Sequence, residues 1–360
     1  MNAPRAWATI DTAAIQHNTR LLDEAAGAAE VCAVVKANGY GHGAERVAAA
    51  ALKAGATRLA VAQVQEGQAL RLAGISAPIM VLSEPGPAEY SVAADHSLEV
   101  TVYTDQGVTA AKKLGLAVHV KVDTGMHRSG CAPSDVMKIV SDANPRSVWT
   151  HLAVADEVGN PYTSLQLERY ESVLASLAAA GVQIPLRHAA NTAACLLVPA
   201  ARYDMVRCGI GIYGLAPSAT QLGQFDLRPA LRLETTVALT KRLRAGDRVS
   251  YGLRGEVDVD TTVATLPIGY ADGVRRSLWR NGTVLVGGKH RRILGVVTMD
   301  QLVIDCGDDA VSIGDEAVLI GKQGDAVISA DDWARWLDTI NYEIVCGITD
   351  RVGRRDSRVE

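Results

Sequence analysis

Eight short apolar runs recur at 31–35, 58–62, 79–82, 99–102, 117–122, 148–152, 186–189 and 203–207, and no other feature constrains the fold as tightly. They are too short for helices, and runs such as Val31-Cys32-Ala33-Val34-Val35 are apolar throughout, as strands covered on both faces must be. Between most of them lie alanine-rich, helix-favouring stretches such as 44–54, 65–73 and 166–180, closed by Gly55, Gly74 and Gly181. Strands alternating with helices over roughly 200 residues point to an α/β fold, an N-terminal (β/α)8 barrel of TIM type, rather than an open doubly wound sheet.

Ahead of this series, Trp7-Ala8-Thr9-Ile10 reads as a strand, and Asp11 can cap a helix that presents Ile15, Leu21 and Leu22. The pattern changes near 225–229. Beyond it, 231–243, 261–266, 283–286, 292–304 and 316–320 are rich in Val, Thr and Ile and are parted by turns such as Asn281-Gly282 and Gly287-Gly288. Those features predict a mainly antiparallel β-rich domain. One helix, 329–340, interrupts it, with Ser329 and Asp332 at its start and Trp333, Trp336, Leu337 and Ile340 on one face as core packing. The expected division is a barrel over 1–227 and a β-rich domain over 228–360, with 1–10 packing as a strand on the second domain.

A chain of 360 residues with 48% hydrophobic content can bury two such cores, and a net charge of -4 without a basic, aromatic-laced run argues against nucleic acid. The six cysteines include no CxxC pair, and the eight histidines show no HExxH or other ligand spacing, so neither a disulfide framework nor a metal site is expected. No apolar window is long enough to span a membrane, and the start carries no signal region. A cytoplasmic protein is the expectation.

In a barrel, the loops after the carboxyl ends of the strands build the active site. The first run ends in Lys36, followed by Gly39, Tyr40, Gly41 and Gly43. That lysine reads equally as a side chain reaching for water or as a partly desolvated amine ready to condense with a carbonyl. The fifth run delivers Lys121 and then Arg128; the sixth, His151; the seventh, His188, Asn191 and Thr192; the eighth, Arg207, Gly209 and Ile210. His188, like His42, reads equally as a buried, satisfied histidine. Phosphate commonly binds at the last two loops, where the Thr192 hydroxyl and the Gly209 and Ile210 amides are available.

Gly209, Gly211 and Gly214 also match a dinucleotide fingerprint, but Pro217 follows and no amphipathic helix opens there. The carboxylate pairs Asp156-Glu157 and Asp331-Asp332 point their side chains apart, and the second suits a helix start. A reactive lysine, a phosphate cradle and an arginine at one barrel mouth together suggest pyridoxal 5′-phosphate. An arginine at the pyridine nitrogen cannot take its proton, which leaves the ring a weaker electron sink and favours brief proton exchange.

The segments AVVKANGYGHG (33–43), KVDTGMHRSG (121–130), THLAVADE (150–157), HAANTAA (188–194), VRCGIGIYG (206–214), VSYGLRG (249–255), LPIGYADG (266–273), VTMDQ (297–301) and INYEIVCGITDRVGR (340–354) resemble, in order, those of the alanine racemase family of fold-type III pyridoxal-phosphate enzymes. The resemblance implies interconversion of L- and D-alanine through an aldimine on Lys36, supplying D-alanine for peptidoglycan. It implies a homodimer with shared active sites, in which Tyr251 of a partner subunit acts as the second base. Arg128 would bind the substrate carboxylate, with Lys121 positioning it as an amine or a carbamate. Met299 and Asp300 would line the substrate side, and His151 would lie beside Arg207. Tyr40, Asn191, Thr192, Gly209 and Ile210 would hold the cofactor. Family members commonly carry tyrosine at the position of Asp350 and serine at that of Thr192. An aspartate there would repel a phosphate dianion unless turned away, whereas threonine keeps the hydroxyl. Racemisation of other small amino acids and non-catalytic cofactor binding are the alternatives. Decarboxylation on the same fold is disfavoured by the Ser250-Tyr251-Gly252 motif and by Arg207.

Overall fold

The barrel follows from the repeated pairing of a doubly covered strand with a helix. A computed structural model describes residues 5–357 and divides the chain into two compact units, one Ala13–Pro229 and the other formed by the segment before it together with Ala230 onward. In chain order the first strands are β1 (Ala6–Ile10), β2 (Glu30–Val34), β3 (Arg58–Val61), β4 (Ile79–Val81), β5 (Glu99–Val102), β6 (Val118–Lys121), β7 (Ser147–Trp149), β8 (Leu186–His188) and β9 (Met205–Cys208). Strands β2 to β8 pair in parallel with their sequence neighbours, and β9 returns to β2. No ladder joins β8 to β9, yet Asp204 N donates to Arg187 O at 3.0 Å and Arg207 N to Ala190 O at 2.9 Å. The Asp204 carboxylate also accepts from Arg187 Nε and Nη2 at 2.8 and 2.9 Å, so the seam is closed by side chain as well as backbone.

The helices lie where alanine-rich sequence places them, as at Ala44–Lys53 and Val64–Leu72. One begins earlier than its composition suggests. Asn160 caps Pro161–Ala179 by accepting from Tyr162 N at 3.0 Å, and Pro161 occupies the first turn, where its missing N–H is no loss.

In the second unit β1 pairs with β10 (Leu231–Thr236) and, in parallel, with the last strand (Gly353–Asp356). The run at 231–243 is two strands, not one. Val237 N donates to Asp315 O and Ala238 N to Thr265 O, both at 2.9 Å, so the chain leaves one sheet and enters another as β11 (Leu239–Leu243). The run at 292–304 also divides. Thr298 N and Oγ1 both donate to Gln301 O, at 2.9 and 2.8 Å, which folds the segment back on itself. The expected helix is Ala330–Leu337, with Ser329 Oγ accepting from Asp332 N at 3.0 Å and Asp332 accepting from Ser329 N at 2.8 Å. Asp338 at φ 55 ends it, so Trp333 is buried, Trp336 and Leu337 are half-buried, and Ile340 is exposed rather than in the core. A further short helix, Asn341–Cys346, was not anticipated. Among the described residues no helix is long and apolar enough to cross a membrane.

Candidate active site

Lys36 stands where β2 leaves the barrel, half-buried, and the chain then turns the wrong way for L-residues. Ala37, Asn38, Gly39 and Tyr40 have φ of 51, 51, 62 and 49°, and Gly41 follows at 80°, so the expected glycine loop is one left-handed helical turn. Each non-glycine residue in that conformation costs about 1–2 kcal/mol. Backbone bonds close the turn, from Gly39 N to Val35 O at 2.9 Å and from Gly41 N to Ala37 O at 3.0 Å. Glu66 anchors it. Its Oε1 accepts from Ala37 N at 2.6 Å, and its Oε2 accepts from Ala62 N and Gln63 N at 2.7 and 3.1 Å, tying the residue after Lys36 to the end of β3. Charge-assisted bonds of this kind are worth more than neutral ones, so Glu66→Ala is expected to lower unfolding free energy by about 3 kcal/mol, measured by urea titration.

The turn aims Tyr40 across the barrel mouth. Its ring stacks on Tyr213 with centroids 4.7 Å apart, and a Cβ built on Gly209 would come within 2.5 Å of its Oη. Only glycine therefore allows the tyrosine and the last loop to meet. Thr192 Oγ1 joins them by accepting from Gly209 N at 3.0 Å and Gly211 N at 3.4 Å. Asn191 has a different local duty: its side chain accepts from Ala194 N at 3.0 Å and caps Thr192–Leu197. Ile210 is buried and opens a 3₁₀ turn over Ile210–Tyr213.

Arg207 is 3% exposed and charged, which demands partners. Its Nη1 donates to His188 Nδ1 at 2.6 Å, and its Nη2 to Thr150 O, Ala189 O and His151 Nδ1 at 2.8, 3.0 and 3.3 Å. Burial lowers its pKa to about 10, which still leaves it cationic near neutrality. Trp149 organises the cations: Arg207 Cζ lies 4.6 Å and Lys121 Nζ 4.7 Å from its ring, and His188 stacks on it at 5.6 Å.

Lys121 donates to Ser129 Oγ at 2.6 Å, and burial together with the charges of Arg128 and Arg207 brings its pKa down to about 8. Arg128 itself is exposed. Burial, then Arg207, Arg128, Lys121 and Lys36, hold His151 well below the usual histidine range, so its imidazole is neutral.

Burial also holds His188 well below that range, reinforced by Arg207, and lowers His119. As the pH falls below about 6.5 the unfolded chain therefore protonates these two side chains before the folded one does. Stability rises with pH where the unfolded state binds more protons, so acidification through and below that value is destabilising. Each fully buried histidine is expected to contribute a slope of up to about 1.4 kcal/mol per pH unit, measurable by denaturation between pH 7 and 5.

The second unit contains the other sequence-selected residues. Ser250 has φ 68 and ψ -179°, a region left almost entirely to glycine, and Gly252 and Leu253 follow at positive φ. The kink is held by Ser250 Oγ donating to Val296 O at 2.6 Å. It presents Tyr251 outward, 73% exposed. Met299, 52% exposed, adjoins Tyr270 through the bond from Ala271 N to Met299 O at 3.0 Å. Asp300 is bound by Arg351 Nη2 at 2.7 Å, and Arg351 Nε also reaches Asp272 at 3.2 Å. Asp350 has a side chain 95% exposed, with Arg354 at 3.9 Å.

Residues 10–217 match the alanine racemase N-terminal domain and residues 230–356 the alanine racemase C-terminal domain. The chain belongs to the alanine racemase family. It is an isomerase of that family, 47% identical over 361 residues to the alanine racemase of Symbiobacterium thermophilum, with 97% of this chain and 96% of that one aligned. The crystal structure of the Bacillus anthracis alanine racemase with bound L-Ala-P superposes with a TM-score of 0.94 at 39% identity, covering 99% of this chain and 96% of that one. A histidine racemase from Leuconostoc mesenteroides subsp. sake superposes at 0.90 with 30% identity, covering 99% of each chain.

Within this racemase fold the barrel mouth brings Tyr40, Thr192 and Gly209 into contact and gathers the cations Arg207 and Lys121 around a neutral His151. Sequence reasoning missed Glu66, Ser129 and Trp149, and the buried strand residues Glu99, His119 and Ser147. The available signal was polarity inside otherwise apolar strands, as with His119 in β6.

Proposed function

We propose that the enzyme interconverts L- and D-alanine with pyridoxal 5′-phosphate as cofactor, moving the α-proton between Lys36 on one face and Tyr251 of a partner copy on the other. The observation that carries this reading is the half-buried Lys36, set at a barrel mouth by a strained, carboxylate-anchored turn. The residues present suit the cofactor. Gly209 lets the Tyr40 hydroxyl lie against the loop after β9, and the Thr192 hydroxyl, on the loop after β8, bonds the Gly209 amide, so hydroxyls and backbone amides suited to phosphate meet there. Lys36 would attach the aldehyde. Pyridoxal phosphate, when bound, supplies that aldehyde and an electron-withdrawing ring that acidifies the α-hydrogen of an attached amino acid.

The chain's own groups do the rest. Arg207, cationic and held through both terminal nitrogens, offers only donors and would leave a ring nitrogen that faced it unprotonated. Arg128 brings a cation for the substrate carboxylate. Lys121, with its pKa near 8, keeps some neutral amine at physiological pH, the form that adds carbon dioxide to give a carbamate and a proton. Inverting a stereocentre requires removal and delivery on opposite faces, which two bases in separate places accomplish. Tyr251, exposed on its own chain, suits delivery into a second copy, and Leu253, Tyr270 and Met299 of the same unit are also exposed apolar side chains that a homodimer contact would cover. Met299 and Asp300 of the partner would border the substrate. D-alanine formed in the cytoplasm would serve peptidoglycan synthesis.

The likeness to a histidine racemase favours one second reading, a racemase of another amino acid. Loss of optical rotation measured across a panel of L-amino acids separates the two. Alanine is expected to react fastest, and a faster basic or aromatic substrate would replace it. Borohydride reduction of the holoprotein followed by peptide mapping is expected to place the pyridoxyl group on Lys36, and a label elsewhere would overturn the site.

A further inference from the structure

We infer that Glu99, at the amino-terminal end of the barrel, positions Arg207 through a one-directional hydrogen-bond chain that runs His119, Ser147, His188 and fixes the tautomers of both histidines. These residues lie on five consecutive strands, β5 to β9. The contacts are His188 Nδ1 to Arg207 Nη1 at 2.6 Å, His188 Nε2 to Ser147 Oγ at 2.9 Å, Ser147 Oγ to His119 Nδ1 at 2.6 Å, and His119 Nε2 to Glu99 Oε2 at 3.0 Å. Glu99 Oε2 also accepts from Arg58 Nη1 at 2.9 Å, and Oε1 lies 3.5 Å from Arg146 Nε.

Direction follows from what each group is able to donate. Guanidinium only donates, so His188 Nδ1 carries a lone pair and its proton sits on Nε2. That N–H donates to Ser147, whose own hydroxyl hydrogen then points to His119 Nδ1. His119 accordingly carries its proton on Nε2 and donates it to the Glu99 carboxylate, the only member of the chain that solely accepts. A doubly protonated His119 would leave the Ser147 hydroxyl without its acceptor and add a buried cation beside Arg58 and Arg146. Burial disfavours that form, and His119 is held below its usual range.

The consequence is mechanical. With the carboxylate at its end, the chain has one low-energy proton order, and Arg207 always meets a lone pair. Break it in the middle and the His188 Nε2–H is buried without its acceptor, a cost that competes with the bond to Arg207 and lets part of the population carry the proton on Nδ1, against the guanidinium, which then swings or loses its hold. Glu99, His119 and Ser147 are positioning residues, and their catalytic effect rests on the proposed role of Arg207 at the cofactor ring.

The test is 15N NMR of the protein as purified, labelled with 15N-histidine, with the two side chains assigned by residue-specific substitution. Both are expected as neutral imidazoles protonated on Nε2 alone. Ser147→Ala, which removes the link without changing charge, is expected to give His188 a mixture of tautomers and to lower kcat by up to roughly tenfold with little change in KM. Ser147→Thr, which keeps the hydroxyl, restores both. A proton on His188 Nδ1, a doubly protonated His119 at neutral pH, or a single unchanged tautomer in Ser147→Ala would overturn the inference. The tautomers are read without turnover, so an inactive wild-type protein with the expected tautomers would sink the racemase reading and leave the chain standing.

Discussion

Lys36→Ala is expected to lower racemisation by roughly 10⁴-fold or more, the scale of losing a positioned acid or base, and to abolish the visible absorption of a bound aldehyde. The fold should survive. The left-handed turn is held by backbone bonds and by Glu66, none of which uses the Lys36 side chain. Removing a cation from a group that already includes Arg207, Arg128 and Lys121 relieves repulsion, so unfolding free energy should stay within about 0.5 kcal/mol or rise. Lys121 is a built-in reporter, because the charge of Lys36 is among those that depress it. Its pKa, followed by amine reactivity against pH, should move up in the variant. Polarimetry and urea titration on the same preparation separate the outcomes: activity within tenfold of wild type would remove Lys36 from the chemistry, and gross destabilisation would give it a structural role instead.

Why the barrel was legible and its mouth only partly so has a physical explanation. A strand covered on both faces must be largely apolar, a demand that β2 through β4 meet apart from Glu30 and Arg58 at their first positions. In the β-rich unit, propensity marks residues as extended without naming the partner. The sheet change between Val237 and Ala238 and the fold-back at Thr298 were therefore read through as continuous strands. Lys36, Tyr40 and Arg207 were legible because strand ends in a barrel converge. The left-handed turn was not, since Asn38 and the glycines suit a positive φ in any loop, whereas Ala37 carries no mark of it and is held there by a carboxylate 29 residues away. Glu66 looked like any acidic residue in a first helical turn, and Glu99 like the boundary of a strand. Asn191 shows the reverse case, a polar residue read for its position at the mouth whose side chain caps the helix beside it.

Tyr251→Phe removes one hydroxyl from a side chain that is 73% exposed on its own chain, so folding should change by no more than about 0.5 kcal/mol. Racemisation is expected to fall by roughly 10²- to 10⁴-fold. The diagnostic is what remains. Lys36 alone still serves one face, so in D2O one enantiomer of alanine should continue to take up deuterium at the α-carbon with retention while the other stays protiated. Loss of exchange from both enantiomers, or racemisation within tenfold of wild type, would remove Tyr251 as the second base.

Mixing then asks which chain each base comes from. If a site joins Lys36 of one copy to Tyr251 of another, a dimer of Lys36→Ala with Tyr251→Phe contains one doubly defective site and one intact site. Random reassociation makes about half of the dimers mixed, so about a quarter of wild-type activity should reappear from two inactive preparations. Sites built within a single chain would leave every mixture inactive, because each chain then lacks one of the two bases.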